Sequence, residues 1–354
     1  MENLNVIFQY ILAILGFSLI ILVHEFGHFL FAKISGVHVE EFFIGFGPKL
    51  LKFKSRSGTT YGISAIPVGG YNKILGLERN EKIPEDKKNK AFNTKPFHKK
   101  MMIIIGGVSM NAVLAVILIG IFLSMGAFAI TNSIEYVQPD SPAEIYGFEV
   151  GDEVVALNEE KIESWEEFAS LTKNHPGEIV TYTVIRDGKE LKIKTELDNV
   201  NGEGFLGISP AVVKKEMSFF GIVKESFVMT WEISKSYAKL FFMLFSGKLS
   251  FTEARPVSPI GVVSIFQQSA SMGFQNFILF VALVSLMLTF GNLIPILPLD
   301  GGHIVVLLIE AVRRKSVSEK FLEIYSKIGI AIIICLMAVG FIFDIISPFN
   351  LQNM

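Results

Sequence analysis

Hydrophobic and polar positions in this chain are sorted into long blocks rather than interleaved. Four blocks are apolar enough, and long or nearly long enough, to cross a bilayer. The first runs from Val6 to Val23 and continues through the polar stretch His24-Glu25-Phe26-Gly27-His28. The second, Met101 to Ile130, and the third, Phe274 to Leu299, contain no charged residue. The fourth, Ile328 to Phe343, is short and needs its flanks or a thinned bilayer. Between the blocks the period changes. Val37 to Ile74 reads as strands interrupted by Gly45, Gly47, Pro48 and Ser57-Gly58. Strands with open edges cannot face lipid, so these are expected against the helices or lining a cavity. Thr131 to Ala211 reads as one soluble unit. It holds a short strand at Val154 to Leu157 and a Ser164/Glu167 capping box. A hairpin follows, from Thr181 to Ile185, through the turn Asp187-Gly188, to Leu191 to Leu197. Met217 to Phe245 mixes aromatic residues with lysines and glutamates, which suits an amphipathic helix lying at a membrane interface. Packing against the soluble unit is its other reading.

The expected architecture is therefore an α-helical integral membrane protein of about four transmembrane helices. A membrane-associated β region and an inserted extracytoplasmic α+β domain complete it. Its divisions are a first helix in 1–35, a β region and basic loop in 36–100, and a second helix in 101–130. The soluble domain fills 131–212, an interfacial helical region 213–273, and a third helix 274–300. A helix and loop occupy 301–327, and the last helix 328–346.

Composition agrees with this pattern. Hydrophobic residues make up 51% of the chain and charged residues only 19%, and mean hydropathy is +0.49. A formal net charge of −2 gives no basic excess for nucleic acid. The lone cysteine, Cys335, excludes an internal disulfide framework and a cysteine zinc finger. A metal must then use His, Asp or Glu. The first five residues carry no Lys or Arg, Lys33 to Lys100 carries fourteen, and Arg313 to Lys327 carries five. Those two loops read as cytoplasmic, with both termini outside. The N-terminus lacks a basic n-region, so the first block is expected to persist as a mature helix.

The candidate chemistry lies in the first block. Residues at i and i+4 share a helix face, so His24 and His28 can address one metal ion. Glu25 beside them completes the H-E-x-x-H zinc hydrolase pattern. An ionisable cluster inside a span is costly and therefore points to function. A catalytic zinc needs a third protein ligand and an open position. Asp300, in Gly291-Asn-Leu-Ile-Pro-Ile-Leu-Pro-Leu-Asp-Gly-Gly-His303, follows a proline-broken segment and is a candidate. His303 competes with it, and Asp300 also reads as the N-cap of a helix over Gly301 to Val312.

His24-Glu25-Phe26-Gly27-His28 together with Asn292-x-x-Pro-x-x-Pro-Leu-Asp300-Gly301 resembles the site-2 protease family of intramembrane zinc metalloproteases, in its bacterial RseP-type branch. Gly45 to Leu50 and Ile66 to Gly76 resemble that family's membrane-associated β region. Gly106 to Asn111 is similar to its Gly-x-x-x-Asn element, and Ser258 to Gly261 to a Gly-Pro-Ile-Gly element. Val108 stands where many members carry proline, and Ser258 where glycine is common. The soluble unit resembles a single, circularly permuted PDZ domain. The resemblance ranks Asp300 above His303 and implies Zn2+ held by His24, His28 and Asp300, with Glu25 as the general base. It places Asn292, Asn111, Gly69 and Gly70 as substrate-binding candidates.

The implied activity is peptide-bond hydrolysis within the membrane. Its substrates would be transmembrane segments already cut once by another protease, such as those of anti-sigma factors or remnant signal peptides. The implied place is the bacterial cytoplasmic membrane, with the lipid bilayer as partner, the PDZ-like domain outside and the active site toward the cytoplasm. A peptide or C-terminus is the expected ligand of the PDZ-like domain. A membrane-anchored PDZ receptor without proteolysis is the rival reading, though a structural metal site has no use for Glu25. A zinc transporter is disfavoured by the single ligand set.

Overall fold

The computed structural model describes residues 2–78, 81–215, 217–249, 255–347 and 349. It divides into two compact units, residues 126–218 and the remainder of the chain on either side. Residues 216 and 250–254 of the expected 213–273 region lie outside the described residues.

In the larger unit, helix α1 spans Glu2–Ile34. It ends because Gly36 takes a left-handed φ of 69°. Val37 N then donates to Ala32 O at 2.8 Å and Gly36 N to Lys33 O at 3.1 Å. This is a glycine-terminated turn that satisfies the last carbonyls and launches strand β1 (Val39–Lys54), followed by β2 (Thr60–Ile74). Both strands bend, β1 at Gly45 and Gly47 and β2 at Gly69, all at positive φ. The bends fold each strand onto its partner twice. Phe42 pairs with Asn72 on one side and Tyr61 on the other, while Phe53 also pairs with Tyr61. The result is four antiparallel runs in the order 49–54, 60–66, 39–46, 70–74. Run 70–74 has a ladder partner on one side only. The expected strands thus form, and β2 lies against α1.

Helix α2 spans Phe97–Ser124. It starts earlier than the apolar block and stops short of Ile130. Gly126 breaks the chain at φ 124°, and Ala127–Val137 becomes strand β3 of the smaller unit. Helix α5, which follows the smaller unit, runs Phe219–Phe245 and packs on α2 instead of lying apart from the bundle. Its inward face is small and polar: Ser226 and Thr230 are buried, and Thr230 Oγ1 donates to Ser226 O at 2.7 Å. Phe219, Phe227, Trp231 and Phe242 point outward. Small residues at the contact and aromatics outside are what helix packing in lipid selects.

Helix α6 (Pro259–Ser271), α7 (Phe274–Asn292), α8 (Asp300–Arg313) and α9 (Glu319–Ile346) complete this unit. The proline-containing segment after Asn292 separates α7 from α8, as expected. The last helix is 28 residues long, about 42 Å, so the short apolar block has its flanks after all. Ser318 caps it by accepting from Phe321 N at 3.3 Å. Helices α1 (from Val6), α2, α7 and α9 are each long and apolar enough to cross a membrane.

The smaller unit contains α3 (Pro142–Ile145), β4 (Glu153–Leu157), β5 (Glu160–Lys161) and α4 (Trp165–Lys173). It continues through β6 (Ile179–Arg186), β7 (Lys189–Glu196), β8 (Asp198–Val200), β9 (Glu203–Phe205) and β10 (Ile208–Lys215). One sheet runs β10-β3-β4-β6-β7 with β5 beside β4. Half of the expected capping box forms: Ser164 Oγ accepts from Glu167 N at 3.2 Å, while Glu167 Oε2 accepts from Glu163 N, one residue before the cap, at 2.7 Å. Val154, Leu157, Phe168, Val180, Tyr182 and Val184 form much of its core.

One buried ion pair pins the end of the β6 strand. Arg186 grips Asp152 with Nε and Nη2, each at 2.7 Å, and Asp152 is only 1% exposed. Arg186→Ala should leave that carboxylate buried without its partner and destabilise this unit by about 3 kcal/mol. Hydrogen exchange across residues 126–218 of the intact protein is the measurement. Unchanged protection would show the pair to be dispensable.

Candidate zinc-binding active site

The site is built where α1, α2 and the start of α8 converge. Gly27 of α1 lies directly against Gly106 and Gly107 of α2. A Cβ on Gly27 would overlap the Gly106 carbonyl, and a Cβ on Gly106 would meet Phe31 Cδ2 at 2.6 Å. With no side chains between them, the backbones touch. Ile103 O of α2 is therefore within reach of His28, whose Nδ1 lies 2.8 Å from it. A carbonyl only accepts, so Nδ1 carries the proton and Nε2 presents its lone pair. That lone pair faces His24 Nε2 at 3.1 Å.

Asp300 closes the third side. It is the first residue of α8, and Leu299 occupies the cap position without a side-chain capping bond. The expected N-cap role for Asp300 is therefore not what the helix start shows. Its carboxylate turns to the histidines, with Oδ2 3.3 Å from His24 Nε2 and Oδ1 3.4 Å from His28 Nε2. The partly positive helix N-terminus suits a carboxylate there. The loop before α8 wraps tightly enough that Cβ atoms on Gly301 and Gly302 would strike the backbone of residues 293–297. Ligand atoms of His24, His28 and Asp300 all lie within 4.8 Å of one another.

The residues fit a metal cation. Two imidazole nitrogens and a carboxylate oxygen converge in a pocket whose ligands are only 11–12% exposed at their side chains. Asp300 Oδ2 has no hydrogen-bond partner despite its burial. Acceptors turned toward one point and left unsatisfied are costly unless a cation joins them. The His28 tautomer fixed by a backbone carbonyl is the usual outer support of a metal-ligating imidazole.

The four other expected site residues are placed differently. Gly69, at φ 67°, lets β2 settle on α1, since a Cβ there would meet Ile21 Cγ2 at 2.7 Å, and Gly70 lets β2 close on β1, since a Cβ there would meet Phe43 O at 2.6 Å. Asn111 is fully buried with both amide atoms unpartnered, and its backbone carbonyl accepts from Ser285 Oγ at 2.8 Å. Asn292 ends α7, and its amide makes no hydrogen bond among the described residues. His303, also on α8, falls outside the compact ligand set.

Two residues near the ligands escaped sequence reasoning. Asn72 Nδ2 donates to Glu25 Oε2 at 2.6 Å and to Glu25 O at 3.0 Å. Strand alternation was the available signal, since Tyr71 and Lys73 must face away from Asn72. Gly107 is the other. A Cβ there would overlap His28 Nε2 and press on His24 Cε1 at 2.8 Å.

With the geometry in place, comparison with known proteins decides the family. The model described as Peptidase family M50 matches residues 12–336. The chain belongs to peptidase family M50. A protein of Clostridium acetobutylicum named as a candidate zinc metalloprotease is 33% identical over 346 residues, covering 97% of this chain and 99% of the relative. One of the same description from Clostridium perfringens is 35% identical over 345 residues, covering 96% and 98%. Zinc metalloprotease RasP of Shouchella clausii is 29% identical, covering 91% and 95%. Among solved structures, the PDZ domain of an SdrC-like protein from Listeria monocytogenes aligns at 19% identity and TM-score 0.22, covering 23% of this chain and 90% of that one. The M50 chain is a zinc metalloprotease of the site-2 protease type, and zinc is its metal.

Gly107→Ala tests the seat of the histidines. It should weaken zinc binding about 10-fold or more, the range seen when outer-shell supports are disturbed. Metal content after equilibration with graded zinc buffers is the measurement, with helicity by circular dichroism as the control. Full zinc occupancy at wild-type affinity would show that the ligand rings have room to shift.

Proposed function

We propose that this M50 protease holds zinc through His24, His28 and Asp300 and cuts transmembrane segments of other membrane proteins, with Glu25 as the general base. The observation that carries this reading is the convergence of His24 and His28, on a helix apolar enough to span a bilayer, with Asp300 at the start of α8, and with Glu25 beside them. In this donor set zinc supplies Lewis-acid chemistry, polarising the oxygens that contact it. Glu25 takes the proton from the attacking water onto its carboxylate and later gives it to the leaving amine nitrogen. His28 directs its Nδ1 proton to Ile103 O, which leaves Nε2 to face the metal.

A helical substrate hides its peptide bonds behind its own hydrogen bonds, so a segment must unwind before it is cut. The single-sided run 70–74 of β2 offers an edge on which an extended segment regains backbone partners. Asn292, whose side-chain amide makes no hydrogen bond among the described residues, would bond the substrate backbone. Gly69, Gly70 and Asn111 contribute through the packing that positions this edge and α2. The basic loops favour an active site toward the cytoplasmic face of a bacterial inner membrane. The unit at 126–218 is read as the extracytoplasmic PDZ-like domain, binding a peptide or C-terminus and excluding substrates that still carry bulky outer domains. The physiological step is then a second cut, after another protease has shortened the substrate.

Purified wild type should cleave a model transmembrane helix lacking its outer domain, and chelation should stop it. Glu25→Gln should lose at least 100-fold in rate with zinc retained, and Asp300→Ala should lose zinc. Zinc content unchanged by Asp300→Ala would remove that residue from the ligand set. Deleting 131–211 should allow cleavage of uncut substrate, and unchanged selectivity would count against the size filter.

A further inference from the structure

Two of the proposed metal ligands have visible support, a carbonyl of α2 for His28 and a helix start for Asp300, while His24 Nδ1 has no hydrogen-bond partner among the described residues. Glu25 has a different support. Asn72 spends both hydrogens of its side-chain amide on the same residue, one on Glu25 Oε2 at 2.6 Å and one on Glu25 O at 3.0 Å. Bonding a carboxylate and its own backbone carbonyl together fixes the side chain relative to the helix it stands on. Glu25 Oε1 takes no hydrogen bond among the described residues and remains free to receive a proton.

The partner belongs to the β region, not to a helix. Asn72 lies on the run 70–74, which has β1 on one side only, and its register partner is Phe42. Its neighbours are fully engaged elsewhere. Tyr71 stacks on Phe43 with ring centroids 5.6 Å apart and donates to Glu41 Oε2 at 2.8 Å. Lys73 pairs with Glu40 at 2.7 Å and Glu81 at 3.3 Å. These contacts hold the opposite face of the strand, so Asn72 is presented to α1 on a braced element. Gly69 and Gly70 remove the bulk that would otherwise keep β2 from α1.

We infer that Asn72 is a positioning residue of the hydrolysis, orienting Glu25 from the same strand whose edge receives the substrate. The inference rests on the reading of Glu25 as general base. A glutamate has three rotatable side-chain bonds, and without a second contact it populates orientations in which its free oxygen misses the water. Fixing it before substrate arrives removes that loss from the chemical step. Because the tie comes from the substrate-bearing strand, the scissile segment and the base share one frame.

The test uses the full-length, zinc-loaded protein in detergent or nanodiscs, with a model transmembrane-helix substrate. Asn72→Leu keeps the side chain's size and removes the donor. Asn72→Asp replaces the donor by a carboxylate that repels Glu25. Asn72→Gln and Asn72→Ser each restore a donor. Wild type and Glu25→Gln are the references. Asn72→Leu should lower kcat about 10- to 100-fold with KM changed less than about twofold, and Asn72→Asp should lower it at least as much. One of the two donor variants should recover most of the rate. Zinc per chain and hydrogen exchange of residues 60–74 should match wild type in Asn72→Leu, which separates positioning from structural support.

A wild-type kcat for Asn72→Leu, with Glu25→Gln inactive, would overturn the inference and leave the base assignment standing. So would two donor variants no better than leucine. Loss of zinc or of strand protection in Asn72→Leu would make Asn72 a structural residue, again overturning it. Cleavage at wild-type rate by Glu25→Gln is the distinct outcome that would sink the base reading itself.

Discussion

The contact of α1 with α2 at Gly27, Gly106 and Gly107 is the constraint on which the site depends. Packed helices ordinarily stand 8–10 Å apart because side chains fill the space between them. Here three glycines remove that filling, and backbone meets backbone. Only at such range does Ile103 O reach His28 Nδ1. That one bond fixes the tautomer, sends the Nε2 lone pair toward His24, and gives the metal a ligand it need not reorganise. Asp300 obeys the same logic on the other side. Gly301 and Gly302 let the preceding loop close over the first turn of α8, and Gly329 of α9 packs against Leu297 O of that loop. Close approach by glycine is thus the common device that brings three distant segments to one point.

Such packing has an energetic reason. In an apolar surrounding, two imidazoles and a carboxylate are expensive unless each polar atom is matched. The cation offsets much of that cost, but only if the donors are already in place. Rigid glycine contacts ensure this around the ligands. Elsewhere α5 buries Ser226 and Thr230, and α9 buries little beyond Gly329 and Gly340. Close glycine contacts recur there too, as where a Cβ on Gly340 would meet Ser258 N at 2.8 Å.

Much of this was legible in the sequence, for physical reasons that differ by region. His24, Glu25 and His28 announce themselves because ionisable residues in an apolar run have few structural uses. Asp300 was found because prolines and glycines around it mark a broken helix. The hairpin of β6 and β7 follows from strict alternation about Asp187-Gly188. The misread boundaries share one cause: hydropathy reports solvent preference, not hydrogen bonding. Phe128 to Ile130 are as apolar as the helix before them, yet Gly126 and pairing with Val212 to Lys214 make them strand. Glu319 to Lys327 mix charged with apolar residues, yet they belong to the same helix as the apolar block. The inward face of α5 is inverted relative to the soluble rule, with serine and threonine inside. Gly107 and Asn72 were invisible because each matters only through a partner far along the chain, and a sequence does not state which faces meet.

The division of labour around α1 is visible in the contacts each side chain makes. Successive residues are about 100° apart around the axis, so Glu25 lies at the edge of the face shared by His24 and His28, about 60° from His28. Helix α2 and the start of α8 serve the ligand face, and a different element serves the edge where Glu25 points. In this fold β2 occupies that edge, and its Asn72 bonds both the carboxylate and the backbone of Glu25. On the proposed roles, two ligands are held by one helix face and its neighbours while the base is held from a second structural layer. A bent β region folded onto α1 supplies it, and the same strand that steadies the base keeps one edge unpaired. Gly69 and Gly70 belong to the same arrangement, since a Cβ on Gly69 would meet Ile21 of α1 and one on Gly70 would meet Phe43 O of β1, the two neighbours that flank Asn72's run.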